Sequence, residues 1–229
     1  MQNQSCFLLS YLKYADYDAI LHCFSKDLGF QTYFVKGIYT PKNKIKAHLF
    51  PLNQMNVTLR VGKSSSAMQT VTKIEKGDLD FDFEDVKTNS ILFFVSDFLH
   101  QILRVETQSS KIYLEIETFV NELYNKNYDA YIAFIFTILK FQGISPLISN
   151  GNFLDPESGT FSTLQNHLVF DAETSTIWKN YLSAENGYEI KLNRRSRNKI
   201  LQSLMLYYQI HFAGFYKPKS LEVIEQVFE

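Results

Sequence analysis

The sequence predicts an α+β protein, with a small five-stranded barrel over about residues 1–80 and a helical domain over 81–229. Three observations predict it. Apolar side chains alternate with a strand's period of two as far as Ile74, and from Ile91 they recur with the period of a helix. The strand-like runs are short and rich in β-branched and aromatic residues, which suits a small closed sheet. Charge is segregated: residues 1–76 carry about +6 and the remainder about −7, although the whole chain is at −1.

The strand-like runs are Cys6 to Leu12, Asp18 to Ser25, Phe30 to Val35, Phe50 to Val61 and Met68 to Ile74. Lys26-Asp27-Leu28-Gly29 makes the second and third a hairpin, because glycine supplies the positive φ of a tight turn. Gly62-Lys63-Ser64-Ser65-Ser66 is the turn between the last two. Five strands with a basic loop fit an OB-fold, whose barrel offers one face to nucleic acid. Asp78 to Asn89, acidic and without a clear period, reads as the linker to the helical domain.

In that domain Ile112, Ile116, Phe119, Val120 and Leu123 share one face, with Glu115, Glu117 and Glu122 turned away, which is an amphipathic surface helix. Tyr128 to Phe141 is apolar nearly all round and reads as the central helix, ended by Gly143 and Pro146. The stretch from Ser145 to Phe170 is irregular, with turns at Asn150-Gly151 and Asp155 to Gly159. Helices follow at Glu173 to Ala184, Asn193 to Phe212 and Ser220 to Phe228, the last two starting at an N-cap residue.

Composition narrows the classes of function. With 45% hydrophobic residues the chain can bury a full core, and disorder is not expected. Cys6 and Cys23 lie in apolar runs without a C-x-x-C partner, so they read as buried thiols. The opening MQNQSCFLLSYLKY has no basic n-region or cleavage site, and no segment has a membrane span's length, so a cytoplasmic protein is expected. Phosphate-loop, dinucleotide, nucleophile-elbow and zinc-protease motifs are missing, and the five histidines are scattered, so neither catalysis nor a cofactor is expected.

Two basic clusters remain. Lys36 is followed by Lys42, Lys44 and Lys46 at every second residue, with Pro41 and Asn43 disfavouring a helix. In an extended segment these ammonium groups share a face, either to meet phosphates or to stand as a solvated loop that guards a sheet edge. Tyr33 and Tyr39 are the aromatics expected to stack bases. Arg194, Arg195, Arg197 and Lys199 crowd a helix start, where free N–H groups and cations suit an anion. They either receive an acidic partner or pair with Glu185 and Glu189.

Tyr14 to Pro51, YADYDAILHCFSKDLGFQTYFVKGIYTPKNKIKAHLFP, resembles the N-terminal module of the RecO family of bacterial DNA repair proteins. Phe141-Gln142-Gly143-Ile144-Ser145-Pro146 is similar to the family's Leu-x-Gly-x-x-Pro turn. Leu206 to His211, then Lys219 to Val223, are similar to its C-terminal ending. Many members carry a four-cysteine zinc insert after that turn, whereas residues 145–170 here contain no cysteine, so thiolate ligation is excluded there. The resemblance implies a nucleoid-associated recombination mediator that binds single- and double-stranded DNA, anneals strands and, with RecR, helps load RecA on DNA coated by the single-strand-binding protein SSB. It also implies that the acidic SSB tail is received by the helical domain, with Arg194, Arg195 and Arg197 beside Ile200, Leu201 and Leu204 as the expected place. The alternatives are a protein-interaction scaffold and an RNA-binding accessory factor.

Overall fold

Inward-facing side chains that alternate along five strands close the first part of the chain into a barrel. The computed structural model describes residues 2–41, 43, 45–60, 68–77 and 85–228. The strands are β1 (Gln2–Tyr14), β2 (Asp18–Ser25), β3 (Gly29–Val35), β4 (Gln54–Leu59) and β5 (Gln69–Lys76). They run in the closed order β1-β2-β3-β5-β4, antiparallel except where β3 meets β5. This is an OB-like barrel. Cys6, Leu8, Leu21, Cys23, Met55 and Val57 fill it, and both cysteines are free and buried.

β1 serves both halves of the sheet. Residues 2–7 pair with β4 and residues 6–14 with β2, and a bulge between Leu8 and Ser10 bends the strand from one to the other. The β2–β3 turn requires glycine at Gly29: φ is +70°, and an added Cβ would lie 2.3 Å from the Thr107 carbonyl oxygen. The expected turn at Gly62 to Ser66 lies outside the described residues.

α1 (Val86–Ile102) begins inside the expected linker, because Asp85 caps it by accepting from the Lys87 and Thr88 amides. The helix is tied to the barrel by the Ser96 hydroxyl, which donates to the Leu9 carbonyl. His100, His22 and Phe30 close the same contact, with the two imidazoles 5.0 Å apart.

Two compact units divide the chain, Met1–Tyr113 and Leu114–Glu229. α2 (Ser110–Tyr124) crosses that boundary. The second unit also holds α3 (Ala130–Phe141), α4 (Ala172–Ser183), α5 (Arg194–His211) and α6 (Leu221–Val227). Its core is aromatic. Trp178 meets Phe136 edge-on, packs on Tyr207 and donates to the Ser203 hydroxyl at 2.8 Å, so its polar edge is satisfied although the ring is fully buried. Asn193 caps α5 through the Ser196 amide, but Ser220 makes no side-chain cap for α6.

The irregular segment between α3 and α4 contains a small hairpin, β6 (Phe153–Asp155) and β7 (Thr160–Ser162). Hydrogen bonds and packing hold it. Lys179 donates to the Gly151 carbonyl at 2.5 Å and lies over the Phe161 ring, Ser175 accepts from the Leu154 amide, and Leu154 and Phe161 are buried. Gly151 has no room for a side chain, since a Cβ would sit 2.3 Å from the Ser162 nitrogen. Among the described residues no helix is long and apolar enough to cross a membrane, and no three His, Cys, Asp or Glu side chains converge as metal ligands.

Burial and the nearby Arg104 charge lower the pKa of His22, and burial, Arg104 and His22 bring that of His100 down to about 4. Both groups bind fewer protons folded than unfolded, so their contribution is complete above the unfolded value near 6.5 and is lost as pH falls toward 4. Denaturant unfolding of the first unit's signals should lose on the order of 1 kcal/mol between pH 7 and pH 5, allowing for solvent screening, and the His22→Gln/His100→Gln double variant should flatten that loss. The hairpin of β6 and β7 should keep its hydrogen-exchange protection in excess chelator, and elemental analysis should find no stoichiometric zinc. By contrast, Lys179→Met should loosen the hairpin.

Candidate nucleic-acid interface

β1 and β2 continue past the barrel as a two-stranded arm, paired out to Tyr14↔Asp18. The turn between them puts Ala15 at φ 50°. Every residue from Tyr11 to Tyr17 is exposed. Tyr14 and Tyr17 are 53% and 54% accessible. Tyr14 meets Phe34 of β3 edge-on at 6.0 Å, which braces its ring against the sheet.

The basic loop is fastened to this arm. The Gly37 amide donates to Asp18 Oδ1 at 2.7 Å, and the Tyr39 amide donates to the Tyr17 carbonyl at 2.9 Å. Lys13 reaches back over the Tyr39 ring, with its ammonium 5.9 Å from the centroid. Partial burial and the neighbouring Tyr11 raise the Tyr39 phenol pKa. Lys36, at the end of β3, is exposed.

The loop is not the extended ribbon that the lysine alternation suggests. Asn43 Nδ2 donates to the Gly37 carbonyl, and its Oδ1 accepts from the Ile45 amide, folding the chain into a short 3-10 turn at Ile45–His48. Ile45 packs on the barrel core, and Lys46 is exposed. Lys42 and Lys44 lie outside the described residues. Tyr33 corrects the sequence reading more sharply. It is fully buried inside the barrel, burial pushes its phenol pKa up, and it cannot stack a base. The alternation of β3 explains this, because Tyr33 and Val35 face inward while Phe34 faces out.

The exposed aromatics at this end of the barrel are on the arm, Tyr14 and Tyr17. Tyr14 and Tyr17 were missed although the signal is plain in Tyr11-Leu12-Lys13-Tyr14-Ala15-Asp16-Tyr17: aromatics at every third residue around a lysine, running into a turn.

The basic start of α5 divides into two parts. Arg197 Nε donates to Asp129 Oδ1 at 2.7 Å, with both side chains under 15% accessible, and the Phe228 ring covers its guanidinium. Lys199 bonds Asp171 at 2.9 Å and Glu173 at 2.7 Å, and those bonds, Glu173 first, raise its pKa. The carboxylates come from other elements than the expected Glu185 and Glu189, and they are what make cations tolerable at a helix start. Ile200, Leu201 and Leu204 are buried, so they offer no apolar surface to a partner. Arg194 and Arg195 are exposed, beside a groove with Ile177, Ile190 and Leu192 in its lining.

Lys36 and Lys46 should each lower the salt dependence of single-strand binding when changed to Ala, by about 0.7 in log–log slope for each phosphate no longer neutralised. Tyr14→Ala and Tyr17→Ala should each cost ~1–3 kcal/mol of binding, as read by fluorescence anisotropy, while Tyr33→Phe should leave affinity unchanged.

Comparison with known proteins finds similarity along the chain. Residues 1–77 match the family model described as "Recombination protein O N terminal". Over 96% of each chain, the sequence is 26% identical to the DNA repair protein RecO of Flavobacterium psychrophilum. It is likewise 26% identical, over 96% of each chain, to the DNA repair protein RecO of Christiangramia forsetii. With the protein of that name from Porphyromonas gingivalis it shares 22% over 94% of each.

Proposed function

We propose that the chain is a member of the RecO family with a role in DNA repair and recombination, and that it is a mediator acting by binding and without catalysis. It holds single- and double-stranded DNA on the barrel, promotes annealing and, with RecR, helps RecA onto strands covered by SSB. One observation supports the reading most: the exposed Tyr14 and Tyr17 and the basic loop of Lys36 and Lys46 are fastened together by the Tyr39–Tyr17 backbone bond. Aromatic faces beside ammonium groups are what a single strand needs, since every base has a stacking face and every nucleotide a phosphate.

A labelled oligonucleotide titrated at two salt concentrations tests the proposal. Affinity should fall steeply as salt rises. A scaffold that only engages proteins would show little affinity at either salt, and a preference for RNA over DNA of the same sequence would favour an accessory RNA-binding role.

The acidic SSB tail is assigned to the second unit, at the exposed Arg194 and Arg195. The apolar part of its contact falls to the groove of Ile177, Ile190 and Leu192, because Ile200, Leu201 and Leu204 are buried. Arg197 has no part in it, being committed to Asp129. The Arg194→Glu/Arg195→Glu variant should bind a tail peptide about tenfold more weakly with an unchanged melting temperature. Arg197→Glu should instead lower the melting temperature, since it leaves Asp129 facing a like charge.

A further inference from the structure

The outer face of the sheet leads from the arm to a second group of cations. Residues paired across strands turn their side chains to the same side, so Tyr14 is followed by a row of Leu12, Ile20 and Phe34, and that by a row holding His22 and Thr32. Leu12 is 59% accessible, and Ile20, Phe34, His22 and Thr32 are half-buried. The face is continuous over about 13 Å along the strands, from the Tyr14 row to the His22 row. It ends where it meets α1: the His100 ring lies 5.0 Å from that of His22, and both stack on Phe30 at 5.9 Å.

Three groups able to carry positive charge gather at that end. Arg104, exposed just beyond α1, acts on both imidazoles, its charge adding to burial in holding their pKa values down. The guanidinium forms no ion pair among the described residues. His22 Nδ1 shares a hydrogen bond with Thr32 Oγ1 at 3.2 Å, whereas neither ring nitrogen of His100 is hydrogen-bonded among those residues. The carboxylates of the segments packed here, Asp97 on α1 and Glu106 after it, hold neither ring in its charged form, since both pKa values are lowered. Half-buried imidazoles beside an unpaired guanidinium are costly to protonate, and an anion set against all three removes that cost.

We propose that His22, His100 and Arg104 form a phosphate-binding site, and that a single strand held on the arm runs along the outer face of β1, β2 and β3 to reach it. In this the site rests on the proposed DNA reading. A phosphodiester is the anion the surroundings fit: the exposed Tyr14 and Leu12 and the half-buried Ile20 and Phe34 suit bases, and each nucleotide brings one phosphate. The distance lies within the ~4–16 nucleotides that one OB module covers. Binding at this site is proton-linked. A phosphate beside the rings favours their charged form, so the complex binds more protons than the free chain, and affinity rises as pH falls.

Oligothymidylate titrated onto the full chain at fixed salt, and read by fluorescence anisotropy at pH 7.5 and pH 6.0, tests the site, because thymine does not titrate in that range. Affinity should rise about tenfold at the lower pH, which is the uptake of most of one proton. The His22→Gln/His100→Gln variant should lose that rise, while His48→Gln, at the other histidine of the first unit, should keep it. Arg104→Gln, at an exposed position without an ion pair, should lower the log–log salt slope by about 0.7 and leave the melting temperature unchanged. Affinity indifferent to pH, or a rise that survives the double variant, overturns the site. Imidazole resonances of the chain without nucleic acid separate the site from the strand. A His100 pKa higher in sodium sulfate than in sodium chloride of equal ionic strength, with no oligonucleotide bound at either pH, would refute the DNA reading and leave the anion site standing.

Discussion

The bend in β1 between Leu8 and Ser10 is the constraint on which the first unit depends. β1 pairs with β4 along one edge over residues 2–7 and with β2 along the other over residues 6–14, and the extra residue between Leu8 and Ser10 bends the strand just where β4 ends, which curls the sheet toward closure. The same bend carries β1 and β2 beyond the barrel as the arm that bears Tyr14 and Tyr17. From Asp18 and Tyr17 of that arm the basic loop is hung through Gly37 and Tyr39. Fold closure and the candidate interface thus share one local cause.

Much of this was legible in the sequence because period two is a strong signal over short apolar runs. The strands were placed within a few residues, and β1 ran longer at both ends than its apolar core indicated, since its polar outer residues contribute backbone bonds and no hydrophobic pattern. Which face each side chain took was less legible. Tyr33 and Phe34 are both aromatic neighbours on β3, and only the register with β2 and β5 decides that Tyr33 goes inward. The lysine alternation misled for a related reason: Asn43 bonds the backbone on either side and folds the loop before an extended ribbon can form.

In the helical unit, periodicity located α2, α3, α4 and α5 closely, but it could not say where charges are spent. Arg197 and Lys199 look like Arg194 and Arg195 in the sequence, yet the first two close on Asp129, Asp171 and Glu173, residues distant along the chain. An ion pair as enclosed as Arg197–Asp129 is structural, because removing either partner leaves the other charge with poor solvation. The same long-range accounting explains the cysteine-free loop, where Lys179 and Ser175 of α4 supply hydrogen bonds to the hairpin of β6 and β7. Neither could be read from spacing alone.

The central claim is that a single strand lies across the β1–β2 arm and the loop fastened to it. Photocrosslinking tests it most directly: an oligonucleotide carrying 5-iododeoxyuridine is irradiated on the full chain, and the attached residues are identified by mass spectrometry. The account predicts attachment at Tyr14, Tyr17 and Tyr39 and none at Tyr33. Attachment confined to residues 114–229, with the arm untouched, would contradict it.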